Sequence, residues 1–415
     1  MNTLSQKVSY SYDLPHSLIA TEPATPRDHS RLFVYDTATS GIAFDYFYNI
    51  AKYIPAHSLM VVNETAVAPS RLTLYKSTGG KVICLFLLNE QLGQSDQISL
   101  IVDRGIEVGD ILFSNSGERI VEIIAHDRDS IFHAKLTIPK MALLSLLDNV
   151  GEMPIPLYLR KTKLSRSQLR DKYQTIFAKP SAQLSSVAAP TASLHFTPKV
   201  FNDLDRFGIE RVSVRLEVGL GTFAPLTDDN LSKGELHTEW YCVPKLTSEA
   251  INIAKQEGRA ITAVGTTTAR TLESIAQTMN NDLLTDARSR HPEPRRGPFG
   301  TSRGIPSCKG IPSWRNDNSS TKYSESKSVS GGSDPDSIHK EGEYVSTNIF
   351  IRPGYSFKYV NHLITNFHLP NSSLMMLVEA LLQSKNAKMP LVDLYNIAIK
   401  ERFRFYSFGD CMLIL

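Results

Sequence analysis

Residues Arg259 to Ser274 read RAITAVGTTTARTLES, and this stretch indicates the fold class of the chain. The apolar run that ends at Val264 predicts a buried strand, the residues from Gly265 predict a tight turn, and the apolar spacing after Arg270 predicts a helix. A strand that enters a helix through a tight turn is a common ligand-binding arrangement in α/β proteins. The turn lacks the motifs of a P-loop and of a dinucleotide fold, so neither a nucleoside triphosphate nor NAD is indicated.

The flanking sequence continues this alternation of strands and helices. Upstream, TSEAINIAKQEG predicts a helix with Thr247 as its N-cap; downstream, LITNF predicts a strand and SLMMLVEALLQS a helix capped by Asn371 or Ser372. The N-terminal runs RLFVYD and SLMVVNET predict two more strands. We therefore predict an α/β domain built from residues 1–66 and 151–415.

A β-rich block lies between these two parts, at residues 67–150. The apolar runs VICLFLL, QISLIV, DILFS, RIVEIIA and IFHAKL follow one another with only short polar clusters between them. This spacing leaves no room for crossover helices and predicts an antiparallel barrel or sandwich. The run MALLSLLDNV predicts a helix that closes the block.

Composition excludes several classes of protein. The 415 residues are 41% hydrophobic and 21% charged, which is typical of a globular chain. No apolar run approaches the roughly 18 residues that a membrane span needs, and the first residues lack the apolar core of a secretion signal. The four cysteines are far apart and form no CxxC pair. We therefore expect a cytoplasmic protein without a metal site.

Residues 279–343 fit neither pattern. They are rich in Gly, Pro, Ser and Arg and contain the tetrapeptide GIPS twice, which predicts a disordered, low-complexity insertion. The part between Arg288 and Arg315 is strongly basic and is suited to contact RNA phosphates. The alternative, a solvated surface insertion, is the more common role of such segments.

Polar residues follow several of the predicted strands. They occur near Asn63, His195, His237, Gly265 and Asn366. Because strand ends of an α/β sheet meet at one edge, where ligands usually bind, we expect these groups to converge.

Two of these segments carry candidates for proton transfer. His195 is a candidate acid or base because imidazole exchanges protons near neutral pH, although a buried structural histidine is the more common case. His237 and Glu239, two residues apart, share one face of a predicted strand, which suits a carboxylate that orients an imidazole or a cation. Cross-strand pairing is an equally good interpretation.

Taken together, the motifs resemble one family. The segments DLPHSLIA, PRDHSRL, LYLRK, DKYQTIFA, SVAAPTASLHFT, LHTEWY, AVGTTTARTLES, IFIRPGYSF and LITNFHLPNSSLMMLVEA are similar, in this order, to the S-adenosylmethionine:tRNA ribosyltransferase-isomerases of queuosine biosynthesis. The resemblance runs from Asp13 to Leu415 and implies an α/β domain into which an antiparallel β-barrel domain is inserted.

The resemblance also implies a reaction. Members of this family transfer and isomerise the ribosyl group of S-adenosylmethionine onto 7-aminomethyl-7-deazaguanine in tRNA, which gives epoxyqueuosine and releases adenine and methionine. S-adenosylmethionine is then a cosubstrate, tRNA is the partner, and neither a resident cofactor nor a metal is implied. We expect a monomer.

Site residues follow from the matching motifs. His195, His237 and Glu239 are the candidates for proton transfer. The candidates for binding the cosubstrate are Gly265, Thr266, Thr267, Arg270, Asn366 and His368. The candidates for contacts with tRNA or its modified base are Arg71, Tyr173 and Phe367. For the two aromatic residues, packing in the core is the alternative.

The chain departs from the family pattern at three notable positions. Ala66 stands where the family usually has arginine, and Glu217 and Gly234 stand where it usually has histidine. A change from histidine to glutamate alters both charge and proton affinity. A second hypothesis is therefore a divergent paralogue that binds S-adenosylmethionine or RNA without completing the reaction.

Overall fold

The structure is a computed structural model that describes residues 10–89, 96–127, 131–179, 185–219, 227–288 and 344–415. Its strands are β1 (Arg31–Asp36), β2 (Gly41–Tyr46), β3 (Leu59–Asn63), β4 (Arg71–Lys76), β5 (Lys81–Phe86), β6 (Gln97–Val102), β7 (Ile111–Phe113), β8 (Arg119–His126), β9 (Phe132–Leu136), β10 (Glu210–Glu217), β11 (Glu235–Cys242), β12 (Ile261–Val264), β13 (Val345–Ile349), β14 (His362–Asn366) and β15 (Cys411–Ile414). Its α-helices are α1 (Lys140–Val150), α2 (Arg166–Lys172), α3 (Pro198–Arg206), α4 (Asp228–Lys233), α5 (Lys245–Gln256), α6 (Thr266–Arg288), α7 (Ser373–Ser384) and α8 (Leu391–Lys400).

A large mixed sheet forms the centre of the α/β part. Within the described residues it has the order β13-β11-β10-β3-β12-β14-β15-β1-β2. The four central strands β10, β3, β12 and β14 run parallel to one another. Their carboxyl ends therefore meet at one edge of the sheet, as the positions of the polar segments predicted.

Side chains that alternate along β3 build the two layers of the core. Leu59 and Val61 belong to the apolar cluster that contains residues of α5, α6, α7 and α8. Met60 and Val62 belong to the opposite cluster, which contains residues of α3. This alternation is the period of two that a strand buried on both faces requires.

The β-rich block forms a closed barrel. Its strand order is β4-β5-β6-β9-β8-β7, with β7 paired to β4 and all its pairings antiparallel. Leu74, Val82, Leu100 and Leu112 are fully buried inside an apolar cluster that also includes Leu143 and Leu147 of α1. An α/β fold with an inserted antiparallel barrel is therefore confirmed.

The structure decides two predicted helix caps. Ser372 caps α7, as predicted, and accepts a hydrogen bond from the Met375 amide at 3.3 Å. The predicted N-cap at Thr247 is wrong: α5 begins one turn earlier, after Pro244, and the Thr247 hydroxyl donates instead to the Ser213 carbonyl at 2.7 Å. Pro244 is the N-cap residue of α5 and has an extended backbone, with φ −60° and ψ 145°.

Helix α6 continues to Arg288, so it extends ten residues into the segment assigned to the insertion. The remainder of that segment, including the basic part after Arg288, lies outside the described residues.

Candidate functional site

The turn after β12 shapes one wall of the site. Gly265 has a φ of +88°, a left-handed conformation that side chains with a Cβ disfavour, so glycine suits this turn. The first intrahelical bond of α6 runs from the Ala269 amide to the Gly265 carbonyl at 3.1 Å. The amides of the three preceding threonines, Thr266 to Thr268, therefore lie in the first turn, where backbone N–H groups have no partner within the helix. These N–H groups and the helix dipole favour an anion at this end of α6.

An open pocket lies at the carboxyl ends of the parallel strands. It is open to solvent on one side. Six predicted site residues line it: Gly265, Thr266, Thr267, Asn366, Phe367 and His368. The Gly265 and Asn366 segments therefore share one cavity, whereas His195, His237, Glu239 and Arg270 are not among the described residues that line it.

Sequence reasoning missed the aromatic wall of this pocket. Tyr158 and Tyr406 line it with their ring centroids 4.8 Å apart, and the Tyr158 hydroxyl lies 2.5 Å from Ser407 Oγ. Tyr406 has a φ of 72°, which is uncommon for a bulky residue and often marks a functional site. The two tyrosines belong to the segment LYLRK and to residues 402–408, RFRFYSF. Nothing in either segment indicates that they meet.

His195 lies directly behind Asn366. Asn366 Oδ1 accepts from the Thr191 hydroxyl at 2.8 Å, which leaves its amide NH₂ to donate to His195 Nε2 at 3.3 Å. His195 Nδ1 therefore carries the ring proton and donates to Ser30 Oγ at 2.8 Å. Burial, followed by the nearby Arg404 and Arg27, lowers the pKa of His195 to about 3. The imidazole is neutral at physiological pH, and both of its nitrogens are hydrogen-bonded.

His368 is the second neutral histidine of the site. Its Nε2 lies 2.7 Å from the Thr365 hydroxyl, and its backbone N–H donates to the Tyr395 hydroxyl at 3.0 Å. Burial lowers its pKa to about 3.

Replacement of His368 by glutamine should flatten the pH dependence of stability. The unfolded ring takes up a proton below its ordinary pKa of 6.5, whereas the folded ring stays neutral until about pH 3. The contribution of the neutral His368 to the free energy of unfolding is therefore complete above pH 6.5 and is lost as the pH falls towards 3. We expect the slope of the unfolding free energy against pH in this window to decrease by about 1.4 kcal/mol per pH unit in His368→Gln. Urea titrations at several pH values measure this slope, and an unchanged slope contradicts a neutral, buried His368.

Glu239 and Arg270 form a buried ion pair. Both side chains are almost inaccessible, and Arg270 Nη1 contacts Glu239 Oε2. Glu239 Oε1 accepts from the Gly219 amide at 2.9 Å. The partner of Glu239 is thus a cation on α6. His237, within β11, is half-buried, and its imidazole makes no hydrogen bond to a described residue.

Two aromatic candidates are packed into the core. Tyr173 is fully buried and contacts Phe408 edge to face at 6.0 Å, so it presents no ring face to a tRNA base. Phe367 is also fully buried, within a cluster that includes Phe405 at 4.7 Å, although its position in the chain borders the pocket. Arg71 is half-buried at the start of β4 and donates to the Ile155 carbonyl at 3.3 Å. Core packing, the alternative for the two aromatic residues, is what the structure supports.

The comparison with protein families identifies the chain. The model of the family described as queuosine biosynthesis protein matches residues 7–301 and 317–414. The chain belongs to this family.

Individual members of the family are similar over nearly their whole length. The S-adenosylmethionine:tRNA ribosyltransferase-isomerase of Moorella thermoacetica is 33% identical over 406 residues, which cover 98% of each chain. Its counterpart from Staphylococcus aureus strain JH9 is 34% identical, also with 98% of each chain covered. A crystal structure of S-adenosylmethionine tRNA ribosyltransferase from Thermotoga maritima is 26% identical, covers 98% of this chain and 99% of that chain, and has a TM-score of 0.45.

The structure accommodates each departure from the family pattern locally. Glu217 is fully buried; the Tyr344 hydroxyl donates to it at 3.0 Å, Thr65 contacts it, and Arg215 Nη1 lies 3.8 Å away. Burial raises the pKa of Glu217 despite these partners. Gly234 ends α4 with a φ of 69°, a conformation that glycine adopts without strain. Ala66 is buried, and its carbonyl accepts from the Ser186 amide at 3.1 Å.

No helix among the described residues is long and apolar enough to cross a membrane. The same residues contain no cluster of three or more histidine, cysteine, aspartate or glutamate side chains that could hold a metal ion.

Proposed function

We propose that this chain is an S-adenosylmethionine:tRNA ribosyltransferase-isomerase. It transfers and isomerises the ribosyl group of S-adenosylmethionine onto 7-aminomethyl-7-deazaguanine in tRNA, and produces epoxyqueuosine, adenine and methionine. The observation that carries this proposal is the pocket at the sheet edge, because it gathers the turn at Gly265 and the segment Asn366 to His368, two motifs of the family, around one cavity. We further propose that the enzyme works as a cytoplasmic monomer, where tRNA is available.

The pocket offers complementary groups to S-adenosylmethionine. The N-terminus of α6 and the hydroxyls of Thr266 and Thr267 suit the carboxylate of the methionine part. The rings of Tyr158 and Tyr406 suit the sulfonium cation or the flat adenine, since aromatic faces attract cations and stack on bases. These roles replace the base-stacking roles predicted for Tyr173 and Phe367.

The three candidates for proton transfer have different surroundings. We propose that His195 positions Asn366 against the cosubstrate, because a neutral ring with both nitrogens occupied holds an amide better than it exchanges protons. Glu239 holds Arg270 in place beneath the pocket wall formed by α6. His237, with its ring nitrogens uncommitted within the described structure, remains our candidate for removal of the proton beside the sulfonium.

The test is direct. Purified protein is incubated with S-adenosylmethionine and tRNA that carries 7-aminomethyl-7-deazaguanine, and the digested nucleosides are analysed by mass spectrometry. We expect epoxyqueuosine together with stoichiometric adenine and methionine. Binding of S-adenosylmethionine without any epoxyqueuosine would instead support the divergent paralogue.

In the same assay, His237→Gln should lose product formation while it keeps affinity for S-adenosylmethionine.

A further inference from the structure

A basic surface begins at the rim of the pocket. Tyr158, which lines the pocket, belongs to the 3-10 helix Leu157–Lys161. A 3-10 helix has three residues per turn and rises about 2 Å per residue, so Lys161 lies on the same side as Tyr158 and about 6 Å further along the axis. The cations that follow Tyr158 therefore begin one helical turn from the cavity.

The charge of this segment is strongly one-sided. From Tyr158 to Lys172 the sequence contains six basic residues and one acidic residue, Asp171. Arg71 also lies close by: burial, and then the charge of Arg160, lower the pKa of its guanidinium. Two carboxylates from outside the segment lie nearby: Asp148 pairs with Arg170 at 3.5 Å, and Glu152 interacts with Arg71. The remaining excess of positive charge at one surface is typical of a site for a polyanion.

Two of the six cations have structural roles. Arg166 donates to the Gly151 carbonyl at 3.0 Å through Nε, and Arg170 donates to the same carbonyl at 3.2 Å. Because Gly151 directly follows α1, these bonds satisfy carbonyls at the end of that helix and tie α2 to it. Arg166 and Arg170 therefore stabilise the fold.

Three other cations are available to a ligand. Arg160, Lys161 and Lys163 are exposed, and none of them has an ion-pair partner within the part of the chain that the structure describes. We call these three residues the basic ridge. Leu157, which is 69% exposed, lies at the start of the same 3-10 helix and adds an apolar surface beside them.

The backbone that carries the basic ridge is well anchored. Leu159, between Tyr158 and Arg160, is fully buried in an apolar cluster with Ile155 and Tyr173. Ser165 and Gln168 form a capping box at the start of α2. The ridge therefore presents its charges from a fixed frame, so that less conformational freedom of the backbone is lost on binding.

We propose that the basic ridge is the surface on which the RNA strand docks, with its phosphates on Arg160, Lys161 and Lys163. This inference rests on the proposed function, which requires that a base of tRNA enters the pocket. A base that is taken out of its stack brings its flanking phosphates to the rim of the pocket. The basic ridge begins beside that rim, because Lys161 lies one helical turn from Tyr158. The partner it fits is a single-stranded loop of RNA.

The test compares two triple variants with the same change in charge. The ridge variant carries Arg160→Gln, Lys161→Gln and Lys163→Gln. The control carries Lys81→Gln, Arg104→Gln and Arg119→Gln, three exposed positions on the barrel. The Kd of each protein for tRNA that carries 7-aminomethyl-7-deazaguanine is measured at salt concentrations between about 50 and 200 mM.

We expect the ridge variant to bind tRNA about tenfold more weakly than the wild type. The slope of its log Kd against log salt should be smaller by about two to three, because each phosphate contact contributes roughly 0.7–0.9 to that slope. The KM for tRNA should rise while the KM for S-adenosylmethionine stays constant, and the control should match the wild type. Lys161→Glu, a single exposed change, should weaken tRNA binding in the same direction and guards against a folding defect of the triple variant.

The docking surface would be overturned if the ridge variant had the Kd and the salt slope of the wild type. It would also be overturned if the control variant lost as much affinity for tRNA as the ridge variant. A wild-type protein that binds tRNA through the ridge but forms no epoxyqueuosine would overturn the proposed reaction and leave the docking surface supported. The binding measurement and the product assay thus separate the two failures.

Discussion

Replacement of Arg270 by methionine is expected to lower the free energy of unfolding by about 3–5 kcal/mol. Arg270 and Glu239 are both buried, and each neutralises the charge of the other. Methionine fills similar space but leaves the Glu239 carboxylate without its cation in an environment that water does not reach. The cost of an unpaired buried charge is much larger than the cost of a lost surface pair. Chemical denaturation at neutral pH measures the difference.

A matched control makes this prediction specific. Arg206 forms an ion pair with Asp203 at 2.8 Å, but its side chain is 76% exposed. Arg206→Met should therefore cost less than about 1 kcal/mol. The double variant Arg270→Met with Glu239→Gln should recover part of the loss, because the glutamine oxygen can still accept from the Gly219 amide. Equal costs for Arg270→Met and Arg206→Met would contradict the buried pair.

Replacement of His195 by leucine should decrease kcat by about tenfold to a hundredfold. Leucine removes the acceptor of the Asn366 amide, and an unsatisfied buried donor costs about 1–3 kcal/mol, where about 1.4 kcal/mol corresponds to a factor of ten. His195→Gln should retain most of the activity because the glutamine oxygen can accept from the same amide. Steady-state kinetics with tRNA and S-adenosylmethionine measure both variants.

The pH profile separates a positioning role of His195 from proton transfer. With its pKa lowered to about 3, His195 does not titrate between about pH 5 and 8. The profiles of the wild type and of His195→Gln should therefore have the same shape. If His195 were the catalytic base with an ordinary pKa near 6.5, the wild type would lose activity below that pH and the glutamine variant would lack this limb.

The sequence predicted the organisation of the fold well because the relevant signals are local. The strand, turn and helix around Gly265 follow from apolar spacing and one permissive residue, and the barrel follows from closely spaced apolar runs. The edge at which Gly265 and Asn366 meet also follows from the parallel arrangement of β12 and β14. The N-cap prediction at Thr247 was wrong because apolar spacing alone does not show that the helix already begins at Lys245, directly after Pro244.

The roles of individual side chains depended on contacts between distant segments. The sequence placed Glu239 beside His237, but the fold brings it to Arg270, 31 residues further along the chain. Tyr173 was a candidate for stacking on a base, but in the fold it is fully buried and packs against Phe408. The pairing of Tyr158 with Tyr406 bridges 248 positions and has no local signature.

The sequence by itself therefore determined the α/β fold with its inserted barrel, the family, and the strand ends that border the pocket. Each of these depends on the order and spacing of neighbouring residues. Only the tertiary structure decided that His195 is neutral, that Glu239 holds Arg270, and that the basic ridge begins at the pocket rim. Protonation and access to solvent are set by desolvation and by charges from remote segments, which the linear order of residues does not specify.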